Sequence, residues 1–302
     1  MIDLGRLRAL HAVATYGSVG GAAEALGYTP SAVSQQLAKL ERETRTVLIE
    51  KRGRGIVLTD AAQQLAATAS QVLELVENAE VTLEHQRGQA IGSLAIAAFP
   101  TAARGLIPAM LPQLLADHPA LDVSVTEADP FDAVVAVARG EIQIAIVHDW
   151  HNTPLAIPEE LSRVKLGTDP ADVLVPASHR LAGKEVVRAE DLVGERWICQ
   201  PAGSLCYEWL IRTMRKAEVE PEVAYSIAEY QTHLALLAQG IGIGLLPRLG
   251  RGPLPDGVIA IPLHPAPSRR LYAVWRTASS RRPAIAVTLS AIKAAWPSRD
   301  TA

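Results

Sequence analysis

From Thr29 to Arg42 the apolar residues fall on one side of a helix and the polar ones on the other. At 100° per residue Val33, Leu37 and Leu40 share a face, and Ser31, Ser34, Gln35, Ala38, Lys39 and Arg42 share the opposite one. A helix divided in this way packs by its first face and leaves the second free to meet bases and phosphates. Upstream, Leu4, Leu7, Leu10 and Val13 predict a helix over about residues 3–15, ended by Tyr16-Gly17. Val19, Ala22, Ala23 and Leu26 predict a short second helix, with Ser18 as N-cap and Gly27 closing it in a left-handed conformation. Thr29 caps the third helix and Pro30 takes its first position, where the missing N–H costs nothing. Two helices joined by a Gly-containing turn of this length predict a helix-turn-helix.

The pattern then changes to that of strands. Residues 48–50 and 56–58 can pair across Lys51-Arg52-Gly53-Arg54-Gly55, a wing whose cations suit phosphates or a narrow minor groove, or else a solvated hairpin tip. Thr59 and Asp60 begin a long helix reaching about residue 86. Along it Leu65, Ala69, Val72, Val76, Ala79 and Leu83 recur at four- and three-residue steps, a heptad seam that needs a partner. The partner is either a second copy of the helix or the C-terminal part of the same chain.

Beyond Gly88 and Gly92, short apolar runs alternate with helical stretches. Strands are expected at residues 94–98, 121–126, 142–148, 173–175, 197–199, 223–226, 243–246, 258–262 and 271–275, and helices at 102–117, 131–139, 205–216, 231–239 and 283–296. Such alternation predicts a mostly parallel α/β arrangement with ligands at the carboxyl ends of strands.

Composition adds little until it is divided. The 302 residues are 49% hydrophobic and 20% charged, enough to bury the cores of about two domains. The net charge of -3 hides an asymmetry: residues 1–64 hold 8 Lys and Arg against 6 Asp and Glu, the remainder 21 against 26. A basic head on an acidic body fits a head that touches an anionic partner. There is no secretory signal and no run of apolar residues able to span a membrane, so the chain reads as soluble and cytoplasmic. With only Cys199 and Cys206, neither a disulfide framework nor a zinc site is expected; the pair could form a reversible disulfide or be two small thiols.

The α/β part offers three strand-to-helix junctions where hydroxyls and free N–H groups could hold an anion. They are Phe99-Pro100-Thr101-Ala102-Ala103-Arg104, which puts the Thr101 hydroxyl at the N-cap; Gln200-Pro201-Ala202-Gly203-Ser204; and Tyr230-Gln231-Thr232. Ordinary capping would explain any one of them, whereas convergence would make a binding site. His148-Asp149-Trp150-His151 could line the same cleft or form a polar loop. Gly240-Ile241-Gly242-Ile243-Gly244 follows a helix and opens a strand, the reverse of a dinucleotide site. No G-x-S-x-G, P-loop or H-E-x-x-H motif is present, and the eight histidines lack ligand spacing, so no catalytic residue, metal ligand or cofactor is expected.

Taken together the chain resembles the LysR-type bacterial transcriptional regulators over essentially its whole length. The resemblance rests on Ser18 to Leu26, on Thr29-Pro30-Ser31-Ala32-Val33-Ser34-Gln35-Gln36-Leu37-Ala38-Lys39-Leu40-Glu41, on Arg52-Gly53-Arg54-Gly55 leading to Leu58-Thr59-Asp60-Ala61, and on Ala238-Gln239-Gly240-Ile241-Gly242-Ile243-Gly244-Leu245-Leu246-Pro247. It implies an α/β multidomain protein: a winged helix-turn-helix over residues 1–58, a linker and dimerisation helix over 59–88, and a periplasmic-binding-protein-like effector domain of two subdomains over 89–302. The residues most like the family's DNA contacts are Ser31, Ser34, Gln35, Lys39, Arg52 and Arg54. A small-molecule effector, frequently a carboxylate, would bind near Pro100, Thr101, Ala102, Asp149, Gly203, Ser204, Tyr230 and Gln231, with Arg104 favouring an anion if it points inward. Partners would be double-stranded DNA, the effector and further copies of the chain, as dimer or tetramer.

The chain departs from the family pattern at two places. Thr44-Arg45 replaces the usual Leu-Gly after the recognition helix, and Ile49-Glu50-Lys51 replaces Phe-x-Arg in the wing, where Lys loses bidentate phosphate geometry. A branch of the family senses peroxide through two cysteines; the residues between Cys199 and Cys206 here include no cation to lower a thiol pKa. The expected function is a ligand-responsive DNA-binding regulator, not an enzyme. A small-molecule binding protein whose head contacts another protein is the alternative.

Overall fold

The computed structural model describes residues 2–52, 55–87 and 90–297. The chain divides into two compact units, residues 1–87 and 88–302. No described helix is long and apolar enough to cross a membrane.

In the first unit, α1 (Leu4–Tyr16) is capped by Asp3 and closed by Gly17 in a left-handed conformation. Helix α2 (Val19–Leu26) begins at Ser18, whose Oγ accepts the Gly21 N–H at 3.0 Å, and Gly27 closes it at φ 65°. Helix α3 (Pro30–Thr44) starts from Thr29, whose Oγ1 accepts the Ala32 N–H at 3.2 Å. Leu10, Val13, Ala22, Ala23, Val33, Leu37 and Leu40 are each no more than 1% exposed and form one small core. That core is the apolar face of α3 meeting those of α1 and α2.

Strands β1 (Ile49–Arg52) and β2 (Gly55–Leu58) pair antiparallel from Ile49↔Leu58 to Arg52↔Gly55. The ladder runs further than expected, so Lys51 and Arg52 are strand residues, not loop residues, because pairing satisfies backbone groups that a loop would leave to water. Arg54, expected at the wing tip, lies outside the described residues. Glu41 turns from α3 toward the hairpin, its Oε1 accepting the N–H groups of Leu48 (2.8 Å) and Ile49 (3.1 Å).

Arg45 follows α3 at φ 51°, ψ 36°, and its N–H closes on Glu41 O. A side chain in this left-handed position costs about 1–2 kcal/mol, which glycine avoids. Arg45→Gly should therefore raise the stability of this unit by about 1 kcal/mol, read as a shift of the urea midpoint at constant slope. An unchanged or lower midpoint would mean that Arg45 makes up the strain elsewhere.

Helix α4 (Asp60–Arg87) starts at Thr59, whose Oγ1 accepts the Ala62 N–H at 3.2 Å and donates to Val47 O at 2.9 Å. Its 28 residues make a rod of about 42 Å. The beginning of the predicted seam is already occupied: Ala69 is fully buried and Leu65 packs on the core of the first unit beside Ala62 and Ala66. Val72 and Val76 remain partly exposed.

The second unit contains β3 (Gly92–Ala98), α5 (Pro100–Asp117), β4 (Leu121–Glu127), α6 (Pro130–Ala138), β5 (Ile144–Trp150), β6 (Leu161–Pro176), β7 (Arg196–Cys199), α7 (Leu205–Lys216), β8 (Glu222–Ser226), α8 (Tyr230–Ala238), β9 (Ile243–Pro247), β10 (Val258–Pro262), β11 (Ser268–Arg276) and α9 (Pro283–Ala294). The strand order is β4-β3-β5-β11-β6-β9-β7-β8, with β10 also on β6. Strand β3 runs parallel to β4 and β5, and β7 parallel to β8 and β9. Between these parallel groups β11 and β6 are antiparallel to their neighbours, so the sheet is mixed where a mostly parallel one was expected. The first half of β6 escaped the pattern because Gly167, Asp169 and Pro170 interrupt its apolar run; pairing with β11 makes it a strand. Leu94, Ile96 and Ala98 pack with Leu106, Met110 and Leu114 of α5 and Ile285 and Ile292 of α9, while a second core gathers Ala133 and Val137 of α6 with Val173, Val175 and Trp197.

Candidate nucleic-acid interface and effector site

On α3 the residues opposite the core, Ser31, Ser34, Gln35, Ala38, Lys39 and Arg42, are all exposed. Ser31 Oγ lies 2.9 Å from the Oγ1 of Thr29, so the cap that starts the helix also orients this hydroxyl. Arg42 bends back to donate its Nε–H to Ala38 O at 3.3 Å. The outward face thus presents amide, hydroxyl and ammonium groups on a rigid helix, the chemistry that reads base edges and phosphates in a major groove.

In the second unit the three candidate junctions are linked. Arg104 Nη2 of α5 lies 3.6 Å from Glu229 Oε1 at the start of α8, and Tyr230 Oη of α8 donates to Cys206 Sγ in the first turn of α7 at 3.5 Å. The helix starts differ in how they are closed. Phe99, not Thr101, occupies the N-cap of α5 and gives no side-chain cap; Pro100 is the first helical residue and Ala102 is fully buried in the core. Ser204 caps α7 as expected, accepting the Tyr207 N–H at 3.2 Å, after a turn in which Gly203 has φ 90°. Glu229, unforeseen, caps α8 by accepting the N–H groups of Gln231 and Thr232, each at 2.7 Å. Gln231 itself is exposed.

Behind α5 lies a buried polar cluster. The Thr101 hydroxyl, 2% exposed, accepts from Arg269 Nη2 at 2.6 Å. Arg269, 1% exposed, also donates its Nε–H to Asp169 Oδ2 at 2.8 Å, and Asp169 Oδ1 accepts the Leu249 N–H at 2.9 Å. The guanidinium lies 4.8 Å from the centre of the Phe99 ring. Burial and the charge of Arg269 push the His148 pKa well below its usual value, leaving a neutral imidazole. Arg104 turns to donate to Gly250 O at 3.0 Å, and so does not stand free as an inward cation. Gly250 is fixed by this contact: at φ 67° it lies so near Thr101 that a Cβ would meet the Thr101 carbonyl oxygen at 2.1 Å.

The His148-Asp149-Trp150 segment is the buried end of β5, not a loop. Strand alternation separates its side chains. Asp149 is held by Arg270 Nε and Nη2, both at 2.8 Å, while Trp150 lines a narrow pocket with Cys199, Cys206, Tyr230 and His233. Gln200, Ile198, Leu210 and Leu245 complete its wall. Of the residues predicted at the site, the fold brings Tyr230 to this pocket and Ser204 to the adjoining turn, sets Thr101 in the polar cluster, and commits Asp149 elsewhere. Trp150 is among residues 148–151, named as candidates for the cleft; His233, Arg269 and Asp169 were missed as site residues, and only the oddity of Arg269-Arg270 within β11 signals one of them. Burial raises both thiols, Cys199 to a pKa of about 12, and the nearby Cys206 adds to the shift. Among the described residues no group of His, Cys, Asp and Glu could hold a metal ion.

Residues 4–83 match the bacterial regulatory helix-turn-helix protein, lysR family, and residues 87–297 match the LysR substrate binding domain. The chain is 29% identical over 279 residues to an HTH-type transcriptional regulator, LrrA, of Synechococcus elongatus, covering 92% of each. It is 26% identical over 279 residues to a hydrogen peroxide-inducible genes activator of Pectobacterium carotovorum, covering 91% of each. A solved full-length OxyR from Pseudomonas aeruginosa superposes with a TM-score of 0.71 at 22% identity, covering 97% of this chain and 95% of that one. A helix-turn-helix with an outward polar face, joined to a mixed α/β unit with convergent helix starts, belongs to a DNA-binding transcription regulator and not to an enzyme: this chain is a member of the LysR family.

Proposed function

We propose that residues 1–58 grip duplex DNA, that residues 59–88 pair with the same helix of a second copy, and that residues 89–302 take up a small carboxylate whose binding shifts the arrangement of the DNA-binding heads. The observation that carries the effector reading is the linkage of three helix starts beside the buried Arg269. Glu229 closes α8, so the carboxylate belongs between the start of α5, which lacks a side-chain cap, and the first turn of α7, where backbone N–H groups and two positive dipole ends remain. Ligand preference for one arrangement of the subdomains then becomes a preference for one arrangement of the heads. Dimerisation falls to Val72, Val76 and the residues beyond, since Ala69 is already buried. A two-fold dimer would set two recognition helices on a palindromic operator.

In the DNA reading, Ser31, Ser34, Gln35 and Lys39 address the major groove, and Arg52 and Arg54 the neighbouring phosphates or minor groove. Anisotropy titration of the purified protein against duplex from upstream of its own gene tests this. Gln35→Ala should cost about 1–3 kcal/mol on that duplex and little on a scrambled one. Lys39→Ala should weaken both and lower the salt slope by about 1. Equal losses on the two duplexes for Gln35→Ala would remove that residue from base reading.

Some relatives carry names that refer to hydrogen peroxide. A thiol whose pKa is pushed up to about 12 is almost wholly protonated at neutral pH and a poor nucleophile toward peroxide. This favours reversible ligand binding over thiol oxidation.

A further inference from the structure

Residues 1–87 contain only two of the chain's Phe, Trp and Tyr residues, Tyr16 and Tyr28, and the fold places them in opposite ways. Tyr16, at the end of α1, packs on the core of the first unit. Tyr28, in the turn between α2 and α3, is 54% exposed. Its backbone is held from both sides. The Tyr28 N–H donates to Ala23 O at 2.8 Å, Gly27 before it is left-handed at φ 65°, and Thr29 after it caps α3. A residue just before a cap often folds its side chain onto the fourth residue of the helix. Here that residue is Val33, fully buried with Leu10, Leu37 and Leu40, and the Tyr28 ring stays largely in the open. An apolar body with a polar tip, fixed at a wet surface, suits a partner that offers both kinds of group.

The place decides the partner. In a helix-turn-helix the second helix enters the major groove by its N-terminal residues and the first crosses the sugar-phosphate backbone, so the turn between them lies against the groove wall. That wall offers deoxyribose and phosphate oxygens. The turn has few side chains to meet it: Gly27 has none, Pro30 has no hydrogen to donate, and the Thr29 hydroxyl is engaged by the Ala32 N–H and the Ser31 hydroxyl. The Tyr28 hydroxyl enters none of the bonds that build the turn. Resting on the DNA reading above, we infer that Tyr28 is a further contact to the DNA backbone, its ring lying along a deoxyribose and its hydroxyl donating to the adjoining phosphate. The contact carries no sequence information and adds no charge. It sets how α3 enters the groove, from which Ser31, Ser34 and Gln35 read.

Anisotropy titration of the full chain over a range of salt, on the upstream duplex and its scrambled counterpart, tests this. Tyr28→Phe should weaken binding about tenfold on both duplexes, the equivalent of one hydrogen bond to a charged group. The salt slope should stay as in the parent, because a neutral hydroxyl releases no counterion, whereas Lys39→Ala should lower it. Uncharged methylphosphonate placed at single phosphates locates the contact: at one position the parent should lose affinity and Tyr28→Phe should lose nothing further. The urea midpoints of Tyr28→Phe and Tyr28→Ala should equal the parent's, since the ring is exposed. Equal binding by the parent and Tyr28→Phe, with Gln35→Ala and Lys39→Ala impaired, leaves the DNA reading standing and overturns the role of Tyr28. A loss confined to the upstream duplex puts the hydroxyl on a base edge, and a loss with a lowered midpoint makes Tyr28 a packing residue; either overturns the assignment. Unchanged binding by Tyr28→Phe, Gln35→Ala and Lys39→Ala together overturns both readings.

Discussion

Arg269→Met should destabilise the second unit by about 3–5 kcal/mol, among the largest effects of any single substitution in this chain. Arg269 and Asp169 are 1% and 3% exposed and lie 2.7 Å apart, so the substitution strands a carboxylate where water cannot reach it. Thr101 loses its donor as well, and the polar cluster behind α5 comes apart. For a unit of this size the loss corresponds to a fall of about 10 °C in the unfolding midpoint. Replacing both charges separates the causes: Arg269→Met with Asp169→Asn removes the stranded charge yet keeps a carbonyl oxygen for the Leu249 N–H, and should recover a large part of the loss. A single variant that unfolds within about 1 kcal/mol of the parent would mean that water enters the cluster and that Arg269 does not hold the base of α5 in place.

Leu37→Ala should cost about 2–5 kcal/mol in the first unit. Leu37 is 1% exposed at the centre of a core made of few residues, leaving little capacity to collapse around the lost methyl groups. Set against an ordinary domain stability of about 5–15 kcal/mol, that is enough to populate an unfolded head measurably. Amide hydrogen exchange is the suitable probe because it resolves the chain by region. Amides of α1 to α3 should exchange faster by more than about tenfold, while those of β3 and β5 keep their protection. DNA affinity should fall on specific and scrambled duplexes alike, which distinguishes loss of the head from loss of a reading residue such as Gln35. Preserved protection in α3 would show that the helix is held by something other than its apolar face.

Legibility in the sequence followed the range of the interactions concerned. Helix starts were plain at Ser18, Thr29, Thr59 and Ser204, because a cap and the N–H it satisfies lie within a few residues of one another. The division of α3 into a buried and an exposed face was plain for the same reason. The junction at Phe99 was misplaced, since Thr101 looks like a cap but is claimed by Arg269, 168 residues away. The first half of β6 was hidden because its polar Asp169 makes sense only beside Arg269 in the paired strand. Trp150 and Asp149 were adjacent in sequence, and only the pleat decided that one enters the pocket and the other meets Arg270. The convergence of three helix starts depends on sheet order, which nothing local encodes.

Glu41 has a bearing on how this protein finds its place on DNA. One carboxylate, anchored in the last turn of α3, holds the two amides that lead into the hairpin. Helix and hairpin strands are therefore tied together, and in the proposed DNA reading they would meet the duplex as one piece. Sliding the helix by one base step would, in that reading, carry the hairpin off the phosphates proposed for it at the same moment. A mismatched register would then be penalised twice, and the operator would be selected partly by the spacing of groove and backbone.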